Sequence, residues 1–273
     1  MLIRNLIYIL QSENYDIARF VKFSYSRLKW WKLEKRKQIV WTLKARLIYS
    51  MSTSLIAVVV LWFFTEFNWI GFLVIIPAIA LLPFIIAVSL LLIQPLDIII
   101  KARRYKKARN ILRIKKLIII GITGSYGKTS VKEILSAVLS AKYKVLKTPE
   151  NINTDIGIAN FIIENKEALD NYDVFIIEMG AYRVGDIDRI CDIVNPDYSI
   201  LTGINESHIE RFGSLENIIK GKFELPRKTK LLSVLNFDDK NIRDNFDKFK
   251  INKYVKISKD AVKNIARKII LRA

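Results

Sequence analysis

A chain of 273 residues has room for one or two domains and is long enough to bury a proper core. Its single cysteine, Cys191, excludes an internal disulfide, and its single histidine, His208, excludes a multi-histidine metal site. The net charge of +19 invites a nucleic-acid reading, but its placement argues against one. Residues 1–46 carry 11 Lys and Arg against 3 acids, residues 97–116 carry 9 against 1, and the 157 residues beyond are only +4.

The chain opens with Leu2 to Leu10, a short apolar stretch that carries Arg4 and lacks a small-residue cleavage site, so it is not a cleavable signal. Residues 1–46 read as a basic interfacial leader. Trp30, Trp31 and Trp41 alternate with Lys29, Lys32, Lys35, Arg36, Lys37, Lys44 and Arg46, a mixture suited to lipid head groups. From Leu47 to Leu96 the only charged residue is Glu66. That block is too long for one span, so it predicts a transmembrane hairpin with spans at about 47–64 and 70–94. The turn Thr65 to Trp69 holds Glu66 and no Lys or Arg, as an outer loop should, and Pro77 and Pro83 should kink the second span. Basic flanks on both sides place both termini on the cytoplasmic face of a cell membrane, with anionic lipid as a partner. Residues 97–116 form a basic, helical connector.

From 117 to 273 short runs of Ile and Val alternate with amphipathic stretches. Strands should end near Gly121, Val145, Glu178, Thr202 and Leu235, and helices should cover 128–141, 155–163, 186–194, 215–225 and 238–249. This order predicts an α/β fold, a mostly parallel sheet with helices on both faces, whose ligands sit at the carboxyl ends of the strands. Cys191 falls in a helix and reads as a small core residue.

The stretch Ile118 to Ser130, IIIGITGSYGKTS, has the layout of a phosphate-binding loop, although Ile122 stands where the strict pattern has its first glycine. Gly124, Ser125, Gly127, Lys128, Thr129 and Ser130 would wrap a nucleotide's phosphates, with Lys128 on the terminal phosphates and the Thr129 hydroxyl on Mg²⁺. Glu178 ends an apolar strand, where a further Mg²⁺ ligand belongs. His208 follows another strand end, and Lys222 lies in a helix among other lysines. Each alone has a bland explanation: a solvated glutamate, a structural histidine, a solvated lysine face. Their order after this loop gives them weight.

That order resembles the central ATPase domain of the Mur ligase family, closest to its MurF type. The matching stretches are T-G-S-x-G-K-T-S at 123–130, T-P-x-N-x-N-x-x-I-G at 148–157, E-M-G-A at 178–181, N-x-x-H-x-x-x-F-G-S at 205–214 and K-x-E at 222–224, followed by Asn236-Phe237-Asp238-Asp239. The resemblance implies an ATP-dependent ligase that activates a carboxylate as an acyl phosphate, which an amine then attacks. It also implies ATP and Mg²⁺ as cofactors and a peptide or nucleotide-sugar peptide acceptor. By motif, Lys128 binds phosphate, Thr129, Glu178 and His208 hold magnesium, and Lys222 is the lysine that CO₂ carbamylates to make a further metal ligand. Asn151 and Asn153 line the phosphates, and Asn236 faces the adenine or ribose. Mur ligases also carry a sugar-binding domain before this one and an amine-binding domain after it. Here a hairpin precedes, and the chain stops at Ala273, so the expectation is an ATP domain truncated at its C-terminal end or completed by a separate chain. The leading reading is a membrane-anchored ligase of cell-wall peptide synthesis. Two alternatives stand beside it: a non-catalytic, membrane-tethered nucleotide-binding module of an envelope complex, and a poly-γ-glutamate-type ligase.

Overall fold

The computed structural model describes residues 2–26, 38–67 and 75–259. The chain divides into two compact units, Met1–Ile100 and Lys101–Ala273. The leader's Lys29 to Lys37 with Trp30 and Trp31, the Asn68-Trp69 part of the predicted turn, the start of the second span and the tail after Lys259 lie outside the described residues.

In the first unit, α1 (Leu2–Ser12) and α2 (Ile17–Ser26) are amphipathic. They are followed by α3 (Leu43–Phe67), α4 (Ile75–Ala80) and α5 (Leu82–Arg113). Leu6, Ile9, Leu10 and Phe20 pack against Ile48 of α3 and against Leu82, Ile86 and Leu90 of α5. The buried sides of α1 and α2 are therefore packed on protein, while Lys29 to Lys37 of the expected interfacial leader lie outside the described residues. The Ser52 hydroxyl donates to Ser89 Oγ at 3.0 Å, and the Lys44 ammonium meets Asp97 at 2.8 Å. Both contacts join α3 to α5.

The predicted proline kinks resolve into a break at Leu81 between α4 and α5. Pro83 then sits in the first turn of α5, where a missing N–H costs nothing. Pro95 is accommodated inside α5, and that helix runs on to Arg113. The basic connector is thus the continuation of the second apolar helix.

The second unit holds a six-stranded sheet of β1 (Ile118–Thr123), β2 (Val145–Lys147), β3 (Val174–Glu178), β4 (Tyr198–Leu201), β5 (Leu232–Asn236) and β6 (Tyr254–Ile257). The order is β2-β3-β1-β4-β5-β6, with every pair parallel. Between the strands run α6 (Lys128–Leu139), α7 (Asp155–Glu164), α8 (Asp186–Val194), α9 (Ile209–Phe212), α10 (Leu215–Lys228) and α11 (Lys240–Asn245).

Alternate strand residues serve opposite faces. Ile120, Ile122, Val174 and Ile176 meet Val131, Leu135 and Leu139 of α6. Ile119, Phe175 and Ile177 face the larger core with Ile158, Ile187, Ile190, Phe223 and Cys191, to which Ala108 and Leu112 of α5 also belong. Burial pushes the Cys191 thiol up, as befits an inert core residue.

Val145 begins β2 rather than ending it, α11 takes only Lys240–Asn245 of the expected 238–249, and β6 is an additional strand whose four residues are all exposed. With β1 in the centre, β3 on one side and β4 on the other, the β1 tip lies at the point where the strand order reverses. That is where open α/β sheets bind ligands.

Candidate active site

Strand β1 ends at Thr123, and the chain turns through Gly124 to Gly127 into α6. Gly124 has φ +155°, and a Cβ there would lie 2.1 Å from Thr202 Oγ1. Gly127 caps α6 with φ 76° and offers no side chain, so the first N–H groups of that helix have no side-chain cap. An uncapped, glycine-opened helix start suits an anion. The loop is fastened from the β4 side. Ser125 N donates to Gly203 O at 2.7 Å, and the Ser125 hydroxyl donates to Asn205 O at 3.3 Å. The Thr202 hydroxyl is shared between the carbonyls of Tyr126, at 2.5 Å, and Thr123, at 3.2 Å. The Lys128 ammonium curls back onto Gly124 O at 2.9 Å, over its own loop. Burial lowers its pKa, and Glu178 opposes that shift. Ser130 is exposed on the first turn of α6.

Glu178 is opposite Ile122 in the β1–β3 register, which brings it to the same end of the sheet. It is 6% exposed. The Thr129 hydroxyl donates to Glu178 Oε2 at 3.0 Å. The structure therefore brings together two of the four residues that the sequence assigns to magnesium, Thr129 and Glu178. The Lys132 ammonium lies 3.2 Å from the same oxygen. Sequence reading missed Lys132, although its spacing of four from Lys128 and three from Thr129 puts all three on one side of α6.

The second half of the site comes from β3, β4 and α10. Gly180 N donates to Asn153 O at 2.7 Å, so the 148–157 loop abuts the E-M-G-A turn, and Asn151 adopts a left-handed φ of 69°. Thr154 caps α7 by accepting from Gly157 N. Glu224 of the K-x-E motif accepts from Gly185 N at 2.5 Å and Asp188 N at 2.9 Å, so it caps α8. Lys222 is 4% exposed, and burial, then Lys128, brings its ammonium down to about 7. His208 starts α9 with a left-handed φ of 66°. It meets the edge of Tyr182 at 5.2 Å, and the Arg211 guanidinium covers that tyrosine at 4.4 Å. Burial first, then Arg211, lowers the His208 pKa, with Lys222 and Lys128 adding to the effect.

The Asn236 amide donates to Thr202 O at 2.8 Å, tying the end of β5 to the end of β4, and its Oδ1 accepts from Asp238 N at 3.1 Å. Asp239, which sequence reading left without a role, accepts the Tyr126 hydroxyl at 2.7 Å and Ile204 N at 2.9 Å while capping α11. This acceptor beside it raises the Tyr126 pKa to about 12.

The arrangement fits a nucleotide's phosphates at the uncapped start of α6. It also fits a small hard cation at Thr129 and Glu178. Among the described residues no group of three His, Cys, Asp or Glu could hold a metal. Magnesium needs none, since it keeps waters and takes its remaining ligands from phosphate oxygens.

Comparison with known proteins bears on the family of this chain. The Mur ligase middle domain matches residues 122–272, more than half of the chain. The UDP-N-acetylmuramoyl-tripeptide–D-alanyl-D-alanine ligase of Bacillus subtilis strain 168 is 39% identical over 107 residues, covering 39% of this chain and 23% of that protein. The ligase of the same name from Escherichia coli K12 is 33% identical over 145 residues, covering 50% and 31%. The crystal structure of MurF ligase from Thermotoga maritima in complex with ADP aligns with a TM-score of 0.52 and 33% identity, over 57% of this chain and 36% of that one. The aligned part thus spans about a quarter to a third of those relatives. A phosphate loop at the centre of a parallel sheet, its threonine bonded to the neighbouring strand's glutamate, and a match over more than half its length together place this chain in the Mur ligase family.

Proposed function

We propose that this protein is an ATP-dependent carbon–nitrogen ligase of the MurF type, working in cell-wall peptide synthesis while anchored in the cell membrane. The observation that carries the reading is the 3.0 Å bond between Thr129 and Glu178 at the phosphate loop. It assembles the two protein oxygens of a magnesium–nucleotide site in a chain whose relatives are named as ligases.

In this reading the N–H groups at the start of α6 and the Lys128 ammonium hold the terminal phosphates of ATP. Thr129 and Glu178 hold magnesium, which when bound neutralises phosphate charge during transfer. The acyl substrate's carboxylate oxygen attacks the γ-phosphorus, the bond to ADP breaks, and an acyl phosphate forms. The incoming amine then attacks the acyl carbon, loses a proton and expels inorganic phosphate. The chain's part is positioning and charge neutralisation. Asn151 and Asn153 border the phosphates from the E-M-G-A side.

Lys222 is suited to carbamylation because only a neutral amine attacks CO₂, and its buried site favours that form at neutral pH. The new N–C bond forms as the nitrogen loses a proton, which leaves a carboxylate on the lysine. With a neutral His208 imidazole, that carboxylate would serve a second cation.

Membrane anchoring is supported by two helices long and apolar enough to cross a bilayer, within Leu43–Glu66 and Leu82–Arg113. Only 11% of the most apolar window of α3 is buried, whereas a soluble core helix would be mostly covered. Val58, Leu61, Trp62 and Phe64 are exposed along α3. The basic flanks support a cytoplasmic side for the ATP domain.

The test is ligation by the full-length gene product, given ATP, a UDP-muramoyl tripeptide and D-alanyl-D-alanine. Amide formation that Lys128→Ala and Glu178→Ala abolish is expected. Ligation untouched by either change would overturn the reading.

A further inference from the structure

Lys132 is one of the largest fully buried side chains in the protein, at 1% exposure. Its ammonium is 3.2 Å from Glu178 Oε2 and 4.0 Å from Glu133 Oε1, and only Glu178 shares its burial. Val131 and Leu135, on either side of it in α6, pack onto the sheet, so the ammonium cannot swing into water without parting α6 from β3. A buried ammonium is tolerated only when it is paired, and here Glu178 is the partner. The carboxylate assigned to magnesium therefore already has its charge met.

A bare divalent cation arriving at Thr129 would meet a neutral hydroxyl and a carboxylate already compensated by Lys132. Lys128, close enough to act on Glu178 electrostatically, adds a further positive charge. The local field opposes the cation. A polyphosphate seated on the loop reverses that sign and brings the missing oxygen ligands.

We propose that Lys132 is a positioning residue that makes cation entry conditional on nucleotide, by neutralising Glu178 until phosphate arrives. This rests on the assignment of Thr129 and Glu178 as the magnesium site. Linkage makes the coupling reciprocal, so the nucleotide is held weakly without the cation and the cation weakly without the nucleotide.

The experiment titrates the full chain with Mn²⁺, follows free Mn²⁺ by its electron paramagnetic resonance signal, and subtracts chelation by ADP alone. The wild type should bind Mn²⁺ at least about 100-fold more tightly with ADP than without it. Lys132→Met, which keeps the volume and removes the charge, should bind Mn²⁺ without nucleotide at least about tenfold more tightly than the wild type does. Equal wild-type affinities with and without ADP would overturn the proposal. So would a Lys132→Met protein whose nucleotide-free affinity is unchanged. If that variant fails to fold, Lys132→Gln, which also removes the charge, takes its place in the same nucleotide-free comparison. Glu178→Gln separates the underlying assignment: ADP-dependent Mn²⁺ binding that survives this change removes Glu178 from the metal site, whatever Lys132 does.

Discussion

Lys222 is where burial most changes what a side chain of this site can do. Its ammonium falls from 10.5 to about 7, first through burial and then through Lys128. Between those values the unfolded chain keeps a proton that the folded chain has shed, so this residue makes stability rise with pH across that window. Below about pH 7 both states are protonated and the burial penalty is full. Lys222→Met should therefore stabilise the fold most in acid and lose that advantage as pH approaches 10.5, read by chemical denaturation in CO₂-free buffer. In ligation assays the same change should abolish activity, as should Lys222→Ala. A short carboxylate should restore part of the Lys222→Ala loss, and failure of both alanine effects would remove Lys222 from the mechanism. At this scale the sequence was legible in the placement of Thr129 beside Glu178 at the loop that Lys128 closes. It was not legible at Lys132, whose partner lies 46 positions away and is found only when β3 is laid beside β1. At Asn236 the motif names the residue, while its bond to Thr202 O, 34 positions away, could not be read from the chain.

Each element that carries a motif is pinned by a contact the motif does not spell out. Glu224 holds the start of α8 by accepting two N–H groups, and it links the helix of Lys222 to the loop after Gly180. Glu224→Ala leaves those donors without their partner and should cost about 1–3 kcal/mol of stability. Thermal unfolding checks this, and an unchanged midpoint would deny the cap. Gly124→Ala acts on the phosphate loop itself. Its Cβ would collide with Thr202 Oγ1, so ADP binding should be lost while the rest of the sheet still folds. Retained ADP affinity in a calorimetric titration would contradict that. The buried strands were readable as unbroken apolar runs, and the helices by their period. Strand β6 escaped notice because all four of its residues are exposed and Lys256 interrupts the apolar pattern. The join of the second apolar helix to the basic connector was hidden by the abrupt change of composition, which helix hydrogen bonding ignores.

For the whole molecule, composition gave the division before any fold was known, with an apolar, basic-flanked first part and an α/β second part. The anchoring proposal predicts that the full chain stays with membranes through alkaline carbonate washing and leaves only with detergent. Release by carbonate alone would argue for peripheral attachment. On the proposed function, the site around Lys128, Glu178 and Lys222 activates a carboxylate through phosphoryl transfer. The decisive measurement supplies an acyl substrate whose carboxylate carries ¹⁸O, together with ATP and the amine, and follows the label by mass spectrometry. Each inorganic phosphate released should carry one carboxylate oxygen, and Lys128→Ala should suppress both its release and the amide. Amide formed while the released phosphate carries no ¹⁸O would contradict it.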